Sequence, residues 1–114
     1  MKPALTALTA LALLAVLAAA PASAAETGTA EIEALGRING LALACQQPAI
    51  ASRTRNAMIT TAPRTRANGE LFENATQAAY LEHGKGGTCP DVAALAGRLG
   101  EAENKLHAAF AGTR

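Results

Sequence analysis

Only two cysteines occur in the 114 residues, Cys45 and Cys89. Each lies at the boundary of a helical pattern, one at the end of the first and one at the start of the last. A bond between them closes a loop of about 45 residues, worth roughly 4 kcal/mol in the chain-entropy account. That is comparable with the whole net stability of a small domain. The bond also dictates topology, because bridged residues need Cα atoms roughly 4.4–6.8 Å apart. The exit of the first helix must therefore meet the entry of the last, and everything between is an excursion that returns.

Whether the bond forms depends on the compartment. Met1-Lys2 precedes an apolar run from Ala4 to Ala20, and Pro21-Ala22-Ser23-Ala24 follows. A positive start, an apolar stretch and an A-x-A site make a secretory signal. Cleavage is expected after Ala24, leaving 25–114 as one helical domain exported to the periplasm or beyond. The stretch Ala42-Leu43-Ala44-Cys45 superficially looks like a lipid-attachment site. Glu31, Glu33, Arg37 and Asn39 precede it, so no apolar run leads into the cysteine and no stable membrane anchor is expected. Export and an even cysteine count favour a structural disulfide. Its rivals are a redox pair, which usually takes the absent C-x-x-C form, and a thiolate metal site. With both cysteines reduced, Cys45, Cys89 and His83 offer the donors of a thiolate–imidazole cluster. No metal or cofactor is expected while the cysteines are paired.

Composition adds two limits. With one Tyr, two Phe and no Trp, the chain has few large apolar side chains, so its core is marginal without a staple. Ten Lys and Arg against nine acids give +1, and removing Lys2 with the signal brings the balance to zero. No global field recruits nucleic acid, and no interleaved aromatics offer a stacking platform.

The chain reads as all-α. Pro48, Pro63 and Pro90 cut the exported part into four segments, and none alternates as a strand does. The expected helices are 30–47, 48–61, 70–83 and 89–111. In the first, Ile32, Leu35, Ile38, Ala42 and Cys45 form the apolar face, and Gly36 and Gly40, one turn apart, admit a close neighbour. In the second, Pro48 takes the first position, and Ile50, Thr54, Ala57, Met58 and Thr61 share a face. Residues 62–69 read as a loop. The third carries Leu71, Phe72, Ala75, Ala79 and Tyr80 inward and ends at Gly84. The fourth starts with Thr88 as its cap and Pro90 in its first turn. Its stripe of Val92, Leu95, Leu99, Ala102, Leu106 and Ala109, with Phe110 beside the last, is regular. The sum is a four-helix domain with one staple.

The one charge asymmetry is Arg53, Arg55, Arg64 and Arg66, which fall within fourteen residues that hold no acid. They are the candidate anion or partner site, since guanidinium groups grip carboxylate or phosphate bidentately. The alternative is a solvated face paired with Glu70, Glu73 and Glu82. His83 ends the third helix, where imidazolium suits the dipole, and His107 flanks the last stripe. Asn39 is expected to fix register from a semi-buried position. No catalytic residue is assigned, because nucleophile-elbow, zinc-protease and phosphate-loop motifs are missing.

Signal, size, helical content and two distant cysteines together resemble the layout of the HdeA-type acid-stress chaperones. Small helical periplasmic immunity proteins share it. The resemblance is one of layout, without a shared local motif, so it assigns no family. The expectation is a non-enzymatic protein acting through an envelope protein partner, as a monomer or homodimer, with an acid-stress chaperone or an immunity-type protein as its two versions. On the chaperone version, protonating Glu70, Glu73, Glu82, Glu101 and Glu103 breaks their arginine pairs at low pH. The alternative is a metal- or small-anion-binding periplasmic protein.

Overall fold

The computed structural model describes residues 27–112, so the expected signal peptide lies outside the described residues. Four helices run in chain order: α1 (Thr29–Ala44), α2 (Pro48–Thr61), α3 (Arg66–His83) and α4 (Val92–Phe110). No strand occurs among the described residues, and none of their helices is long and apolar enough to cross a membrane. The helix α1 is central. It packs against the other three, α2 also meets α4, and the backbone of α3 approaches only α1.

The buried residues follow the helical repeats. Ile32 and Leu35 of α1 and Leu95, Leu99 and Leu106 of α4 are fully buried, with Ile50, Phe72 and Phe110 closing the core. Val92 departs from the expected stripe and is 60% exposed. It is the first residue of α4, and Leu95, one turn on, is the first of the stripe to be buried. Tyr80 of the expected inner face of α3 is likewise half exposed. Thr76, one turn earlier, is buried instead.

Three helix ends differ from the expected ones. The first helix stops at Ala44 rather than Gln47. Gln47 N–H donates to Ala42 O at 2.8 Å, Gln46 N–H donates to Leu43 O, and Gln46 has φ +55°. This is a Schellman closure, and it turns the chain before Pro48, whose ring disfavours a helical Gln47. The third helix begins at Arg66 rather than Glu70, because Thr65 Oγ1 accepts from Asn68 N–H at 3.1 Å. That cap overrides the roughly 1 kcal/mol penalty of helical Gly69. The fourth begins at Val92, and its cap is Asp91, which accepts from Ala94 N–H at 2.7 Å. Thr88 is not its cap, and Pro90 lies before the helix.

The α1–α3 contact is made by small residues. A Cβ on Gly36 would lie 2.7 Å from Phe72 O and 2.8 Å from the Ala75 Cβ. On Gly40 it would run into Thr76 O and lie 2.9 Å from the Ala79 Cβ. The glycines thus let the two backbones close together, as their spacing suggested.

Candidate functional site

The disulfide links Cys45, the C-cap of α1, to Cys89 in the non-helical stretch before α4, with Cα atoms 5.6 Å apart. It places the exit of α1 beside the entry of α4. Gln47 Nε2 reinforces the junction by donating to Pro90 O at 3.1 Å.

A third side chain joins the pair. His83 Nε2 lies 3.2 Å from Cys89 Sγ and 3.4 Å from Cys45 Sγ. The local backbone holds the imidazole there. His83 is the last residue of α3, and its carbonyl accepts from both Gly86 and Gly87 N–H. That turn needs φ +116° at Gly86, a value open to glycine at little cost. It lays Gly87 against the ring, where a Cβ would stand 2.6 Å from Nδ1. The Gly-rich segment is therefore a clasp over His83. Cys45 and His83 are half-buried, whereas Cys89 is exposed. Cys45, His83 and Cys89 present three metal-type donor atoms within 4.8 Å of one another.

The two larger grooves among the described residues both border α3. One, of about 580 Å³, has an apolar floor that includes Ala34, Ile38, Leu41 and Ala79. Arg37 of α1, Arg98 of α4, Glu82 and His83 line it too. The other, of about 500 Å³, lies where the end of α1 meets α3 and is lined by Leu43, Glu73, Thr76, Gln77, Tyr80 and Leu81. Leu43, Tyr80 and Leu81 are 42%, 49% and 65% exposed.

The arginines singled out in the sequence do not gather around either groove. Arg53 crosses to Glu103 of α4, and Arg66 pairs with Glu70 one turn on at 3.5 Å. Arg55 lies on α2 and Arg64 in the α2–α3 connection, both exposed. Arg66 is in the first turn of α3, not in a loop. His107 lies on the exposed side of α4, roughly 22 Å along the helix from Val92, and so does not converge with His83. Sequence reasoning missed Arg37 and Arg98, which are 61 residues apart and meet at one groove only through packing.

No family model, curated protein or solved structure matches this chain at a significant level.

Proposed function

We propose that this is a small exported, non-enzymatic binding protein that works through a protein partner of the cell envelope. The observation that carries the reading is the cluster of Leu43, Tyr80 and Leu81. These three large apolar side chains stand exposed around one groove. Scattered surface apolar residues need no explanation, whereas a contiguous set beside a groove marks an interaction surface. Glu73 and Gln77 share the groove's lining on α3. An apolar trough with a carboxylate on it suits an amphipathic helical segment that carries a Lys or Arg beside its apolar anchors.

A photo-crosslinker at position 81 tests this in the intact cell. The expected product is one defined envelope protein, linked through an amphipathic segment with a basic residue. Capture should fall when Leu43 and Tyr80 are replaced by Ser and helicity is retained. Links only to a second copy or to lipid, or capture indifferent to those changes, would overturn the reading.

A second reading attaches to the larger groove, where Arg37, Arg98 and His83 surround an apolar floor. That combination suits a small organic carboxylate with an apolar body. Calorimetry with an arylalkyl carboxylate tests it. Binding should be lost in Arg37→Gln and Arg98→Gln and retained in Arg55→Gln and Arg64→Gln.

A further inference from the structure

The approach of His83 to both cysteine sulfurs is not used by the readings above. A structural staple needs two sulfurs in bridging distance and nothing else. Here an imidazole nitrogen is held within 3.4 Å of both sulfurs by a turn that requires Gly86 and Gly87. Two sulfurs and one imidazole make three of the four ligands of a tetrahedral site for a borderline-soft ion.

We infer that the dithiol form of this protein is a Cys45–Cys89–His83 binding site for a thiophilic d10 cation, Zn²⁺ being the probe of choice.

The geometry requires little rearrangement. With metal–sulfur bonds of about 2.3 Å and a metal–nitrogen bond of about 2.0 Å, ligand–ligand edges are roughly 3.5–3.8 Å. Both nitrogen–sulfur separations are within a few tenths of an ångström of that. Only the sulfur–sulfur edge has to open. Cys89 lies on an exposed, non-helical stretch between the glycine clasp and the Asp91 cap, so it can move without displacing α4. Three protein ligands leave a fourth position for water or an exchangeable ligand, and the exposure of Cys89 gives solvent access to the cluster.

The chemistry balances in two steps. A dithiol reductant delivers two electrons and two protons to the disulfide, giving two thiols and becoming a disulfide itself. The metal then takes both sulfurs as thiolates and His83 through Nε2, releasing the two thiol protons. A disulfide oxidant that takes the two electrons and two protons and leaves as a dithiol re-forms the Cys45–Cys89 bond and expels the ion, so metal binding and the staple exclude each other.

The test uses the full exported protein, reduced with a phosphine that is then removed under anaerobic conditions. Zinc is titrated against a chromophoric chelator, and Co²⁺ is added separately. The expected result is one Zn²⁺ per reduced chain, none at this site in the oxidised protein, and a tetrahedral cobalt spectrum with thiolate charge-transfer bands. His83→Ala keeps both cysteines and the staple. It should weaken zinc binding by more than the roughly 10- to 100-fold that loss of a ligand's hydrogen-bond partner already costs. Equal affinity in His83→Ala, equal binding by the oxidised protein, or reduced protein that loses its helicity and does not regain it with zinc would each overturn the inference.

Discussion

Asn39 Nδ2 donates to Thr76 Oγ1 at 3.1 Å across the α1–α3 interface, and both residues are buried. The Thr76 hydroxyl in turn donates to Phe72 O at 2.8 Å. On the other side, the Thr54 hydroxyl of α2 reaches Asn39 Oδ1 at 2.8 Å, with Ala51 O as a second acceptor at 2.7 Å. One amide thus bridges three helices. Asn39→Ala should lower stability by about 2–3 kcal/mol, because it opens a small void and deprives Thr76 Oγ1 of its donor. Thr54→Val keeps the shape and leaves Oδ1 unpaired, for about 1–2 kcal/mol. Urea unfolding with an unchanged m-value checks both. A loss within 0.5 kcal/mol for Asn39→Ala would remove the bridge from the account.

The glycines divide by environment. Gly40→Ala meets α3 backbone, and overpacking of this kind costs about 1–3 kcal/mol. Gly69 and Gly97 are helical and have nothing within 4 Å of a new Cβ. Gly69→Ala and Gly97→Ala should each stabilise by about 0.5–1 kcal/mol. Thermal unfolding of the three variants side by side gives the signs.

Caps supply a sharper check on the helix starts. Thr65→Ala and Asp91→Ala should each cost about 1 kcal/mol. Thr88→Ala should cost nothing measurable, since Asp91 caps α4. A loss at Thr88 and none at Asp91 would move the start of α4 back to where the sequence suggested it.

Gln46 holds a left-handed conformation, φ +55°, which costs a non-glycine residue roughly 1 kcal/mol or more. Gln46→Gly should recover about that amount at the end of α1. Chemical denaturation under oxidising conditions, with the disulfide intact in both proteins, is the comparison to make.

Breaking the staple by paired Cys45→Ser and Cys89→Ser substitutions should cost about 2–5 kcal/mol. Amide exchange should show the loss first around Gly84–Cys89, which has no helix of its own to protect it. Exchange that quickens uniformly across all four helices would mean that the bond stabilises only through the unfolded chain.

Much of this architecture was legible in advance. The prolines and the regular α4 stripe dictated four helices, because a 3.6-residue repeat is local and needs no neighbour to be read. Two cysteines in an otherwise cysteine-free chain left one pairing available, and Gly36 and Gly40 announced a close helix contact. Helix ends were less legible, since caps at Thr65 and Asp91 compete with other short polar residues nearby, and only the folded backbone selects among them. The tertiary structure alone decided which side chains converge. Arg37 with Arg98 and Asn39 with Thr54 and Thr76 join residues from different helices, and the His83–Cys45–Cys89 donor set, nameable from the sequence, is brought within 3.4 Å only where the end of α3 meets the end of α1 and the stretch before α4. Their meeting depends on the rotation and approach of those helices. Those are set by how small residues let α3 close onto α1 and by where one disulfide ties α1 to α4, and no repeat within a single helix encodes them.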